Sequence, residues 1–112
     1  MFNETQKKAM RRAVAKLVDV KLMITHGQHE LVETYRALHV VIDILSEEAW
    51  LSNEAMYAQR ENSAIKNLIE AREMVENAIS YPENHGYGSQ SRQPVVERIN
   101  AAIVKLQSIY NN

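Results

Sequence analysis

The side chains that could do chemistry fall into four groups, and the first is a cluster rather than a motif. Between Tyr81 and Gln93 the chain concentrates Tyr81, His85, Tyr87, Ser91 and Arg92. Pro82, Gly86, Gly88 and short polar residues predict a loop over 81–93. Pro94 suits the first turn of a following helix, where its missing N–H is not needed. A helix N-terminus attracts anions through its unpaired N–H groups and its dipole. Arg92 would add charge there and the two tyrosines a stacking surface, which describes a site for a nucleotide or another phosphate. No glycine-rich phosphate-loop spacing accompanies the cluster, and an ordinary surface loop is the bland reading of the same residues.

The second group is acidic. Glu30-x-x-Glu33 and Glu70-x-x-Glu73-x-x-Glu76 set carboxylates on shared helix faces, where facing pairs could hold Mg²⁺ and a triphosphate. The all-α nucleoside-triphosphate pyrophosphatases use paired carboxylates of this general sort. The chain departs from their pattern: the adjacent second glutamate is missing, and no Glu-x-x-Asp follows on the next helix. A solvated acidic face is therefore expected, with a Mg-dependent nucleotide pyrophosphatase as the remote alternative.

The third group is His26-Gly27-Gln28-His29, with Glu33 one turn beyond His29. His26, His29 and Glu33 could ligate a divalent ion, but two residue types at helical spacing arise easily by chance. Imidazoles at a helix junction more often act as caps. A ferritin-like di-iron centre is disfavoured because the chain has no Glu-x-x-His pair. No Ser, His and acid are spaced as a nucleophilic site, and there is no cysteine to replace them. The sequence therefore predicts no enzyme, no metal and no cofactor.

The fourth group is cationic: Lys7, Lys8, Arg11, Arg12 and Lys16 lie on the first helix, opposite Met10, Val14 and Leu17. Such a row can track a phosphate backbone, but no aromatic interleaving supports nucleic acid as the partner. These cations are expected instead to complement Glu70, Glu73 and Glu76, within or between subunits. The formal net charge of −1 thus hides a basic beginning and an acidic middle.

The elements that must position these groups are helices. The 112 residues suit one domain over 1–112, and three glycines and two prolines among 46% hydrophobic residues leave few helix breakers. No apolar run approaches the roughly 20 residues that span a bilayer, and the polar start from Asn3 to Lys8 is not a signal core. A cytoplasmic protein without membrane partners is the expectation, and the lack of cysteine fits a reducing compartment.

Asn3 and Gln6 have the spacing of a capping box, and Met10, Val14, Leu17, Val20 and Ile24 share one face before Gly27. Leu31, Tyr35, Leu38, Ile42 and Leu45 give the second helix a regular seam, with Tyr35 and His39 in core or boundary roles. Cap signals at Ser46 and again at Ser52 leave open whether the chain turns at 46, turns at 52 or continues. Ile65, Leu68, Arg72, Val75 and Ile79, widened by Ile69 and Ala78, restore the pattern to about Ser80, where Pro82 is expected to end the third helix. Val95, Ile99, Ala102, Ile103, Leu106 and Ile109 line the last helix.

The fold class predicted is all-α: an antiparallel helical bundle, or a long helical hairpin, of three to four helices completed by self-association. The weakly patterned stretch 49–63 holds Trp50, Leu51, Met56 and Tyr57, the residue types that interfaces favour. The leading functional reading is a non-enzymatic adaptor or inhibitor, acting through helix surfaces in a homo-oligomer that also meets another protein. The alternative is a nucleotide or phosphate binder using the 81–93 loop.

Overall fold

Asn3 starts the first helix by the reciprocal bonds its spacing to Gln6 predicts. Its Oδ1 accepts the Gln6 N–H at 2.8 Å, and the Gln6 Oε1 accepts the Asn3 N–H at 2.9 Å. The computed structural model describes residues 1–27 and 30–111. Over them it is all-helical, with five α-helices and no strand among the described residues. Helix α1 runs Glu4–Thr25 and ends where Gly27 takes a φ of 65°. That left-handed conformation is cheap for glycine and turns the chain away from the helix, while the helical backbone of His26 before it leaves the Gly27 N–H on the Ile24 carbonyl at 3.1 Å.

Helix α2 spans Leu31–Asp43, with the Glu33 carboxylate accepting the Glu30 N–H at 2.8 Å across its first turn. It continues into a π-helical turn over Ile44–Glu48, closed by the Ala49 N–H on the Ile44 carbonyl at 3.1 Å. The wider turn lets Ile44 and Leu45 both face inward. Ser46 therefore caps nothing. The chain breaks after Glu48, and Ser52 caps the short α3, Asn53–Ala58, by accepting the Ala55 N–H at 3.0 Å. Asn62 then caps α4, Ser63–His85, accepting from Ala64 and Ile65.

Pro82 does not end this helix. It lies inside the last turn of α4, buried, with its carbonyl accepting the Gly86 N–H at 2.7 Å. A proline inside a helix gives up its own N–H bond and crowds the carbonyl four residues back, here that of Ala78, a cost that burial of the ring offsets in part. The stop is Gly86, whose φ is 95°. The expected loop over 81–93 thus shrinks to a tight connection through Gly86 and Gly88 and a 3₁₀ turn, Ser89–Ser91. Helix α5 follows at Arg92–Tyr110, so Pro94 falls in its first turn.

Side-chain bridges fix the helix directions. Arg12 meets Glu48 at 2.7 Å, Arg72 lies 4.4 Å over the Trp50 ring, Lys105 meets Glu70 at 2.6 Å, and Arg92 donates to the Ile24 carbonyl at 3.1 Å. Helices α1, α2, α4 and α5 accordingly close a ring in which each neighbour runs antiparallel, an up-down bundle of 40 × 23 × 20 Å. Met10, Leu17, Ile24, Leu38, Leu45, Met56, Ile65, Leu68, Ile99 and Leu106 fill it and are fully buried. The apolar stripes assigned from spacing on α1, α4 and α5 are those that turn inward. On α2, Tyr35 and Ile42 stay partly open while Thr34 and Val41 are buried.

The Lys105 ammonium also holds the Glu70 carboxyl below its usual range. A lowered folded-state value contributes stability above the ordinary carboxylate pKa, and that stability is lost as pH falls through the lowered one. Glu70→Gln is expected to lower stability at neutral pH by at most about 1 kcal/mol, given the half-open setting of the pair. Urea unfolding of both forms should show the gap at pH 7 and its closing as the pH falls below the ordinary carboxylate range.

Candidate functional site

The five residues read as a ligand loop do not converge on one point. Tyr81 and His85 belong to the last turns of α4, where their rings stack at 4.0 Å and the His85 Nδ1 donates to the Tyr81 carbonyl at 2.9 Å. The Arg98 guanidinium of α5 covers the Tyr81 ring at 4.6 Å. Ser91 is wholly buried and donates to the Gly86 carbonyl at 2.6 Å, while Arg92 reaches across to α1. Tyr87 is exposed beyond Gly86. On the α2 side, hydrogen bonding to the Glu83 carboxylate holds the Tyr35 phenol above its usual range. Desolvation and the charges of Glu83 and Tyr87 add to that shift. Of the donors nearest the start of α5, Ser91 thus serves the α4–α5 connection and Arg92 ties α5 to the end of α1.

The four residues expected at an interface separate by depth. Trp50 is only 9% exposed, donates from Nε1 to Asn53 at 2.8 Å and is covered by Arg72. Met56 is fully buried, and Leu51 packs partly buried against the core. Only Tyr57, 47% exposed, lies open. The structure therefore spends most of this stretch inside the chain's own core. Periodicity conceals that, because the π turn and the six-residue α3 reset the helical register twice.

The basic face lies on the outside of α1, as the spacing indicates, but its partners differ from those expected. Arg11 pairs with Glu4 at 3.0 Å and also lies 5.2 Å over Tyr110, and Arg12 takes Glu48. Lys8 and Lys16 are exposed, and Lys7 is half-buried. Glu70 and Glu76 are met instead by Lys105 and by Arg72. Glu70 and Glu73 do line a groove of about 260 Å³, but Arg60 and Lys66 line it with them. Two ammonium or guanidinium groups beside the acids weaken the case for a divalent cation there. Among the described residues no group of three His, Asp or Glu is placed to hold a metal, and His29 lies outside the described residues. A second groove of about 270 Å³ joins Met1, Phe2 and Lys7 to the start of α4 and the end of α5.

Spacing alone does not single out the outer surface where α1 meets α5. Val18 is 37% exposed, Leu22 47% and Val104 61%, with Ala15 also exposed. The Arg92–Ile24 and Arg11–Tyr110 contacts set the antiparallel register of the two helices, which brings Val104 level with Ala15 and Val18. Arg11 borders this strip at one end. Glu97, on the same exposed side of α5, borders it at the other, where it accepts the neutral Gln93 amide at 3.4 Å. A signal is present in the sequence: Ala15, Val18 and Leu22 repeat at helical spacing but lie off the Met10 to Ile24 stripe.

No known protein family, characterised protein or solved structure shows significant similarity to this chain. No helix among the described residues is long and apolar enough to cross a membrane.

Proposed function

We propose that this chain is a non-enzymatic interaction protein, an adaptor or inhibitor that works as a homo-oligomer through its helix surfaces. The observation that carries this reading is the outward apolar strip of Val18, Leu22 and Val104 on two neighbouring helices. Scattered single exposed apolar residues are ordinary, but three of them on the same side of two neighbouring helices, with charges at either end, have the make-up of an association surface. Every buried side-chain polar atom among the described residues already has a hydrogen-bond partner.

The expected behaviour is self-association that rises with concentration. Sedimentation equilibrium from low micromolar to near-millimolar protein measures it, and a single monomeric species over that range would overturn the reading. Phosphate binding beside α5 is the second reading. It has less support, because Ser91 and Arg92 already donate to the Gly86 and Ile24 carbonyls. A thermal shift on adding ATP or inorganic phosphate, lost in Arg92→Ala, would favour it.

A further inference from the structure

We infer that the surface formed by α1 and α5 receives a second copy of this chain across a two-fold axis close to Val18 and Val104, setting Arg11 of each copy against Glu97 of the other. The inference rests on the self-association proposed above and adds the surface and its geometry.

Charge decides the direction. By the register that the Arg92–Ile24 and Arg11–Tyr110 contacts set, Lys8 and Arg11 stand at the end where α1 begins, Val18 and Val104 lie in the middle with the partly exposed Asn100 and Gln107, and Glu97 is level with Leu22 at the far end. A two-fold axis perpendicular to the helices reverses one copy, so the positive end of each faces the negative end of the other. A two-fold axis parallel to the helices would set Arg11 against Arg11 and Glu97 against Glu97. Closed two-fold dimers use one self-complementary patch, and like charges brought together in an interface are costly.

The groups are available for this exchange. Glu97 has no cation paired with it among the described residues, only the Gln93 amide. Arg11 holds Glu4 in an exposed pair, the kind that contributes little and can be traded for another acid. Lys8, one turn earlier, is exposed beside it.

The area fits a modest dimer. Helix α1 has 22 residues, which at 1.5 Å each makes it about 33 Å long. Two helices side by side span about 20 Å, so the face offers roughly 600 Å², somewhat below the ~800 Å² per partner of a standard interface. Association should therefore depend on concentration, and its charged border should make it weaken with salt.

The test is a charge exchange read by sedimentation equilibrium, with thermal melts by circular dichroism confirming that each variant folds. Arg11→Glu and Glu97→Arg are each expected to weaken the dimer about tenfold or more. The double variant should recover to within about threefold of wild type, as directly facing charges do in a mutant cycle. Glu97→Arg leaves the Arg11–Glu4 pair untouched and so isolates the contact between copies. Val18→Glu combined with Val104→Glu, both exposed and outside the core, should abolish association without lowering the melting temperature. A wild type that dimerises while the double charge variant stays as weak as the singles, or while the valine variants still dimerise, overturns this geometry and leaves the broader proposal standing. A wild type that never dimerises overturns both.

Discussion

Replacing Trp50 with alanine should lower the unfolding free energy by about 3–5 kcal/mol, the range for losing a buried large aromatic side chain. Trp50 sits at the break between the π turn and α3, 9% exposed, with its Nε1–H on Asn53 and the Arg72 guanidinium over its ring at 4.4 Å. Removing the indole would open a void in the core beside α4, leave Asn53 without its donor and strip Arg72 of its stacking surface. Urea unfolding followed by circular dichroism measures the change, and Trp50→Phe should recover part of it by refilling the space. A loss below about 1 kcal/mol for Trp50→Ala would mean that the indole is not part of the core. The result also bears on function: Trp50 carries interface chemistry by residue type, but a side chain committed to its own core is not available to a partner.

The second large effect is expected at the turn between α4 and α5. Gly86 has a φ of 95° and a ψ of 155°, a region that side-chain-bearing residues almost never occupy. A Cβ added there would also come within 3.1 Å of the Gln90 Nε2, which donates to the His85 carbonyl. Gly86→Ala should cost about 1–3 kcal/mol, somewhat reduced because alanine also restricts the unfolded chain. Gly27 supplies the control. Its φ of 65° lies in the left-handed helical region that asparagine tolerates, and a Cβ added at this position would meet nothing within 4 Å. Gly27→Asn should therefore be close to neutral. Equal losses at the two glycines would show that backbone strain at Gly86 is not the cause.

How much of this can be read from residues alone depends on how local the cause is. The capping box at Asn3, the stop at Gly27 and the inward faces of α1, α4 and α5 follow from spacing and side-chain chemistry within a few residues. They appear in the fold where the sequence places them. Pro82 and Ser46 go the other way. Both are local break signals overridden by packing, the first by burial of the proline ring and the second by a π turn that carries the helical path of α2 past the cap signal to Glu48. The fate of Trp50 and Met56 is illegible for the same reason, since a register reset cannot be seen in a fixed-period pattern.

The candidate surface is half legible. The cations of α1 form the outward face that their spacing indicates, but their partners do not follow from it, because Glu48 and Glu4 become neighbours only through the fold and through local rotamers. Val18, Leu22 and Val104 become one strip only once the antiparallel register of α1 and α5 is known.

The most direct measurement is the mass of the wild-type chain in solution as a function of concentration. The expected result is a shift from the 12.9 kDa monomer toward twice that mass as the protein is concentrated, reversed by salt and by Glu97→Arg. A mass that stays at 12.9 kDa up to near-millimolar concentration would contradict self-association through the α1–α5 face.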